Sequence, residues 1–498
     1  MIGAGVKGDT VWRHFTMLYC PGANSTFLEG QCMTSQGQWL CKLIWSCEVR
    51  KPNCREFRIL LSMLTPLVFS FLLAQSDPVE TIVQKHLDSG LLGVGVAVVE
   101  DGKVRHLKTY GKGATAKNDG HYRLASVSKQ FTAGVIVRLV RDQKFGYEDT
   151  LGKLMPDTPA AWHKVTVRQL LTHTSGIPSY TNSDRFESVV RNPVTPDGIW
   201  QFMKDDPMDF EPGTGFKYNN TGYCLLGSLI ERTTKKDFYS ALDTILLKPA
   251  GMRETGTEKK FKIAESFGDD GKASFPLNMD WPYAAGAIVS TLGDMVKWDQ
   301  ALAGTKLFSE AEKQLMFNPD PVAKRTGNDY GFGWDSQYVD GKFYSHSHTG
   351  GIPGFSTIIE RTVGGVTVIV LANHEYSGVG VMSSEIRDLF DPKPKPATIE
   401  DTLPELTAKH RKMIDELVAG KCDESLFSPE FLQKAPPAML LATSKRFADL
   451  GALTEFTLLK SEGEKAVRRT YRLVFGTTPL TLQVAVGEDG LITGMVIR

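Results

Sequence analysis

Arg123-Leu124-Ala125-Ser126-Val127-Ser128-Lys129-Gln130-Phe131-Thr132-Ala133 is the stretch from which the rest of this chain can be read. It places a Ser-x-x-Lys ahead of an apolar series, Phe131, Val135, Ile136, Leu139 and Val140, spaced as one buried face of a helix. With Ser126 at the start of that helix, Lys129 lies one turn on and on the same side. A serine hydroxyl is a poor nucleophile at neutral pH and needs a base within hydrogen-bond reach. A desolvated lysine with a depressed pKa is such a base. The unpaired N–H groups of a helix start also favour negative charge developing nearby. Ser-x-x-Lys alone equally describes the start of a surface helix, so the decision rests with other segments.

Composition narrows the field. The chain has 498 residues, 41% hydrophobic and 23% charged, as expected of a soluble globular protein of about two or three domains. Lys+Arg and Asp+Glu balance at 57 each. That leaves no electrostatic footprint for nucleic acid or an anionic membrane surface, and favours a small-molecule or peptide partner. Cys20, Cys32, Cys41, Cys47 and Cys54 crowd the start, and only Cys224 and Cys422 follow. This argues against a disulfide scaffold for the main body, and the spacings do not resemble a zinc site. Neither metal nor cofactor is expected.

Residues 1–58 show neither helical nor strand periodicity and read as an N-terminal extension, disordered or produced by a mis-assigned upstream start. Arg55 and Arg58 then precede an apolar run, Ile59 to Ala74, so that residues 59–75 have the parts of a secretory signal peptide. The run is shorter than the ~20 residues that span a bilayer comfortably. A periplasmic or secreted location follows, with an uncleaved anchor over residues 59–74 as the alternative and the only membrane contact expected.

From Asp77 the folded part begins. Asp77-Pro78 caps a helix, Gly93–Glu100 and Lys103–Tyr110 form a hairpin across Asp101-Gly102, and the Ser126 helix follows. Val165–Pro178 is a short helix closed by Gly176 and Pro178, in which His173 reads as a hydrogen-bonded structural residue. Helices are expected after Asn220 and Thr291, strands over Tyr344–Thr349, Phe355–Arg361 and Val366–Ala372, and a helix from Val379 to Phe390. The pattern predicts an α+β fold: an antiparallel sheet flanked by helices, with a helical subdomain. Residues 77–391 form this domain and 392–396 a proline-rich linker. Residues 397–498 form a small accessory domain of helices followed by an antiparallel sheet.

Two further motifs follow Ser126 and Lys129 in order: Tyr218-Asn219-Asn220, and His348-Thr349-Gly350 on an expected strand. The flanks Leu170-Leu171-Thr172-His173-Thr174-Ser175-Gly176, Phe210-Glu211-Pro212-Gly213 and Gly350-Gly351 agree. Together they resemble the penicillin-recognising serine hydrolases, in the class C β-lactamase-related branch that includes D-aminopeptidases, D-Ala-D-Ala carboxypeptidases and carboxylesterases. The resemblance spans about Val79 to Phe390 and implies a β-lactamase/transpeptidase-like fold.

It also implies roles. Ser126 would be the acylated nucleophile, Lys129 its proton acceptor, and Tyr218 a second proton-transfer group. Asn220, His348, Thr349 and Gly350 would bind substrate, and the N–H groups of Ser126 and Gly351 would form an oxyanion hole. A phenol serves as a base only if a cation such as Lys129 stabilises its phenolate. The third motif departs from the lysine usual in β-lactamases and carboxypeptidases of this family. His348 is mostly neutral at pH 7, with an unperturbed pKa near ~6.5. That favours an exported serine hydrolase of an ester, amide or D-amino-acid-containing peptide, acting through an acyl-enzyme. The alternatives are a β-lactamase, or a penicillin-binding or scaffold protein with little turnover.

Overall fold

The computed structural model describes residues 11–18, 26–34, 37–45, 77–113, 117–395, 397–463, 467–476 and 478–497. The signal-peptide-like run at 59–75 lies outside them. Within residues 1–76, Val11–Leu18, Thr26–Thr34 and Gly37–Trp45 form a three-stranded antiparallel sheet in sequence order. These strands carry aromatic and branched residues (Trp12, Phe15, Trp39, Ile44), whose strand preference does not need strict alternation.

Residues 77–498 form a second unit. Asp77 caps α1 (Pro78–Asp88), its carboxylate accepting the Val79 N–H at 2.9 Å. Strands β1 (Gly93–Glu100) and β2 (Lys103–Gly111) turn at Asp101-Gly102, both with positive φ, as a tight hairpin requires. Later in the chain come β3 (Asp335–Val339), β4 (Lys342–Ile352), β5 (Phe355–Thr362) and β6 (Val366–Ala372). The six make one antiparallel sheet, ordered β2-β1-β6-β5-β4-β3.

Both faces of this sheet are covered, which explains why β1 and β6 read as near-continuous apolar runs. Val94, Val96, Val98, Val368 and Val370 pack with α1 and with the helix Val379–Arg387 on one face. Ala97, Val99, Ile359, Ile369 and Leu371 belong to the larger core on the other face. That core holds the helices Ser128–Arg141, Asn220–Thr234 and Leu292–Ala303. A one-residue register slip in any of these strands would exchange the two faces, so the register is strongly specified.

The last hundred residues contain helices Pro404–Val418 and Pro437–Leu450 and a four-stranded antiparallel meander, Leu453–Glu462, Val467–Phe475, Thr478–Val486 and Ile492–Ile497. They have their own core around Tyr471, Leu473, Phe475, Leu482 and Val484. The connecting segment is tied to the β3–β4 hairpin. Tyr344 donates to the Asp391 carbonyl at 2.8 Å, Lys393 Nζ to Gln337 Oε1 at 2.9 Å, and the Ala397 N–H to Asp340 Oδ2 at 2.8 Å. Among the described residues no helix is long and apolar enough to cross a membrane.

Candidate active site

Ser126 does not sit inside the helix but in a 3₁₀ turn, Ala125–Val127, that feeds directly into Ser128–Arg141. Ala125 has φ +49°, a left-handed conformation that costs a Cβ-bearing residue energy and persists only where its surroundings enforce it. The enforcing contacts are to Leu124: its N–H donates to the Ile288 carbonyl at 2.8 Å, and its carbonyl accepts from Thr357 Oγ1 at 2.8 Å. Lys129, one turn on, is fully buried. Its Nζ donates to Ser126 Oγ at 3.1 Å, to Asn220 Oδ1 at 2.8 Å and to the Ala285 carbonyl at 2.9 Å. Burial lowers its pKa to about 7, with Cys224 pulling weakly the other way. The three donated bonds belong to the ammonium form; once it loses a proton, the lone pair of the amine can accept the Ser126 O–H instead.

The second motif enters from the start of the helix Asn220–Thr234. Its cap is Asn219, whose Oδ1 accepts the Gly222 N–H at 2.7 Å. Asn220 is thereby free to face the site: its Oδ1 holds Lys129 and its Nδ2 donates to Thr181 Oγ1 at 3.2 Å. Lys129 Nζ lies 4.8 Å from the centre of the Tyr218 ring. The residue is 36% exposed, yet the surroundings of its oxygen are enclosed enough for desolvation to raise the phenol pKa. The Ser126 hydroxyl opposes that rise, and the Asp335 carboxylate adds to it. Here the expectation of a phenolate stabilised by Lys129 needs correcting. Desolvation pushes each group toward its neutral form, the phenol pKa upward and the amine pKa downward.

The third motif lies on β4, which runs through Gly350-Gly351 to Ile352, three residues beyond the strand read from sequence. β4 packs against the Ser126 turn so closely that a Cβ on Gly350 would sit 2.4 Å from the Leu124 carbonyl oxygen and 2.3 Å from Thr357 Oγ1. Only glycine permits that approach. A two-residue turn, Pro353-Gly354, joins β4 to β5, so Ile352 and Phe355 form the hydrogen-bonded pair and Gly351 and Ser356 the next, non-hydrogen-bonded one. The Gly351 N–H is therefore directed away from β5. On that side β3 has already ended, with Asp335 opposite Ser347, which leaves this edge of β4 open.

His348 is in the right place on the strand but is not where a substrate ligand would be. It is 3% exposed, and both ring nitrogens are engaged internally: Nδ1 with the Thr349 carbonyl at 2.6 Å and Nε2 with the Tyr330 hydroxyl at 2.9 Å. A carbonyl only accepts, so Nδ1 carries the proton and Nε2 accepts from Tyr330. Burial and the nearby Lys129 hold the imidazole pKa down, at about 3, against the Thr349 hydrogen bond. The expectation of a mostly neutral His348 becomes a stronger one, and its direct contact with substrate is not supported. Thr349 is exposed, whereas Gly350 is buried against the Ser126 turn.

A cavity of about 300 Å³ opens beside Ser126, walled by Tyr180, Phe186, Val190, Phe275, Leu277 and Ile352 and reached by Asn220 and Gly351. Glu187 is the charged residue among those lining it. Sequence reasoning missed these walls, because they come from loops that meet only on folding. It also left out His173 and Tyr330. His173, at φ +60° and 1% exposed, accepts the Asn219 N–H on Nδ1 at 3.1 Å, with its ring 4.3 Å from that of Tyr218. The signal for Tyr330 was present in Tyr330-Gly331-Phe332-Gly333-Trp334, aromatics alternating with glycines. Among the described residues no group of three or more His, Cys, Asp or Glu is placed to hold a metal ion.

Comparison with known proteins points one way. The family described as Beta-lactamase matches residues 79–389. Penicillin-binding protein 4* of Bacillus subtilis (strain 168) is 30% identical over 328 residues, which cover 59% of this chain and 70% of that protein. The penicillin binding protein from Bacillus halodurans superposes with a TM-score of 0.55 at 26% identity, covering 64% of this chain and 100% of that one. D-amino acid amidase from Ochrobactrum anthropi SV3, in its complex with L-phenylalanine amide, gives a TM-score of 0.53 at 25% identity, over 62% of this chain and 95% of its own.

Proposed function

This chain belongs to the Beta-lactamase family, and from that premise we propose that it is an exported serine hydrolase that acts through an acyl-enzyme on an ester, an amide or a D-amino-acid-containing peptide. The observation that carries the reading is the Ser126–Lys129 contact at 3.1 Å with a fully buried lysine whose pKa is lowered to about 7. In the proposed cycle neutral Lys129 takes the Ser126 proton as Oγ bonds to the substrate carbonyl carbon. The resulting oxyanion is held by the N–H groups of Ser126 and Gly351, where losing one donor typically costs ~3 kcal/mol. The proton then passes to the leaving group, with the Tyr218 hydroxyl as donor and Lys129 restoring the phenol. Water next attacks the acyl carbon, giving its proton to Tyr218 and Lys129; the bond from that carbon to Oγ then breaks, the acid departs, and the same proton returns to Ser126 Oγ.

The choice of substrate class rests on His348. A neutral, buried imidazole offers a substrate carboxylate no fixed charge, which disfavours an efficient β-lactamase or C-terminal carboxypeptidase. The likeness to D-amino acid amidase complexed with L-phenylalanine amide is in keeping with a substrate that carries no carboxylate. The apolar cavity beside Ser126 would take the substrate side chain. A penicillin-binding protein with little turnover is the second reading, favoured by the 30% identity to penicillin-binding protein 4*.

One experiment tests both. The chain starting at Gln75 is labelled with a fluorophosphonate and with fluorescent penicillin, beside Ser126→Ala, and screened with p-nitrophenyl esters and with D- and L-amino-acid anilides. Labelling that disappears in Ser126→Ala, with turnover of an ester or anilide, is expected. Persistent penicillin labelling without turnover of any of these substrates would replace the first reading with the second.

A further inference from the structure

Tyr330 belongs to none of the three motifs, yet it touches the surroundings of two of them. The loop that carries it is pressed onto the first turn of the nucleophile helix. Gly333 has φ +79°, and a Cβ there would stand 2.9 Å from the Lys129 carbonyl carbon and 3.0 Å from the Gln130 nitrogen. The Asp320 N–H donates to the Tyr330 carbonyl at 3.0 Å and the Gly331 N–H to the Trp334 carbonyl at 2.8 Å, so the backbone on both sides is fixed. From there the Tyr330 hydroxyl meets His348 Nε2 at 2.9 Å. Its ring centre lies 4.6 Å from that of His173, and the His173 ring 4.3 Å from that of Tyr218. Tyr330 and His173 are each 1% exposed.

We propose that Tyr330 is a positioning residue for the acyl-transfer centre: its hydroxyl holds His348 as the neutral Nδ1–H tautomer, and its ring, through His173, holds the Tyr218 phenol against Ser126. The proposal rests on the reading of Ser126, Lys129 and Tyr218 given above. A ring wedged between two histidines restricts both at once, because close-packed interiors transmit small displacements. The groups around the pair would punish a second proton on His348. Lys129, a cation below about pH 7, opposes that proton, and Tyr218 and Tyr330 present neutral rings at 6.2 and 5.7 Å. Asp335, the acidic group whose field reaches Tyr330 and Tyr218, is itself pushed up by burial and Asp329 to a pKa of about 6. Without the Tyr330 hydroxyl, His348 Nε2 is a buried acceptor with no donor, and the ring gains freedom to turn or to take up a proton.

The test uses the full folded chain, 15N-labelled at histidine, with the His348 signals assigned by their loss in His348→Gln. In the native chain the His348 ring is expected to show the Nδ1–H tautomer and no titration between about pH 5 and 9. In Tyr330→Phe the Nε2 signal should move, and kcat on the best ester should fall about tenfold while KM stays within about twofold. Tyr330→Phe that lowers the melting temperature but leaves both the ring signals and kcat untouched would reduce Tyr330 to a packing residue and overturn the proposal. A His348 that titrates near its ordinary value in the native chain would overturn it too, without any variant having to fold. Fluorophosphonate labelling separates the two layers. An unlabelled Ser126 sinks the acyl-transfer reading, whereas a labelled chain with unchanged Tyr330→Phe kinetics sinks the role of Tyr330 alone.

Discussion

Lys129 Nζ lies 3.1 Å from Ser126 Oγ on a side chain that exposes none of its surface. Desolvation, rather than a neighbouring cation, brings this amine to a pKa of about 7. Acylation should therefore rise with pH through about 7 and then level off, as the neutral amine becomes the dominant form. Pre-steady-state burst rates measured across that range check it. Lys129→Arg should abolish the burst, because a guanidinium cannot give up its proton to become the base.

The same group leaves a mark on stability. An unfolded lysine titrates near ~10.4, so between about pH 7 and that value the unfolded chain binds a proton that the folded chain does not. Stability contributed by Lys129 must then increase as pH is raised over this window. Melting temperatures of native and Lys129→Met chains, compared at several pH values, should show the difference shifting in favour of the native chain as pH rises. A flat difference would contradict the lowered pKa.

Neighbouring glycines on β4 should respond in opposite ways. A Cβ at Gly350 would stand 2.3 Å from Thr357 Oγ1 and 2.4 Å from a backbone oxygen, whereas one at Gly351 would meet nothing within 4 Å. Gly350→Ala is expected to cost about 1–3 kcal/mol and to displace the Ser126 turn, with most activity lost. Gly351→Ala should unfold within ~0.5 kcal/mol of the native chain. Urea denaturation of the two variants decides this.

Nitrocefin is expected to be a poor substrate. Its carboxylate would find His348 neutral and buried instead of a fixed cation. We expect kcat/KM below ~10⁴ M⁻¹s⁻¹, the low end for an enzyme on its own substrate. A value in the range of efficient enzymes would refute the substrate assignment while leaving the acyl-enzyme chemistry intact.

Arg387 and Glu360 form a buried ion pair at 2.7 Å, 4% and 2% exposed, that ties the helix Val379–Arg387 to β5. Arg387→Ala would leave the Glu360 carboxylate buried without its partner, and should destabilise the unit by about 3–5 kcal/mol. The loss should be visible in the urea midpoint, with kcat per folded molecule unchanged because the pair lies away from Ser126.

The strands Gly93–Glu100 and Val366–Ala372 were legible to the residue, since branched apolar runs bounded by turn residues are local signals. β3, Asp335–Val339, was not, because this short strand buries Ser336 and Val339, three apart, and so shows no alternation of period two. The strand read from sequence stopped at Thr349, just short of Gly350-Gly351. Inside the fold the pair continues β4, and the lack of a side chain at Gly350 answers to Leu124 and Thr357, more than two hundred residues away for the first. Asn220 was expected to bind substrate; in the fold its Oδ1 accepts from Lys129, while Asn219 caps the helix.

Residue types and their spacing were enough to name the hydroxyl, the amine and the phenol and to assign the family's fold, because motif order and apolar periodicity are properties of the linear chain. Which of these groups is basic, and which histidine faces substrate, depended on how much water each retains after folding. Desolvation is set by neighbours from distant segments, and so the lowered pKa of Lys129, the raised pKa of Tyr218 and the withdrawn imidazole of His348 emerged only from the packed structure.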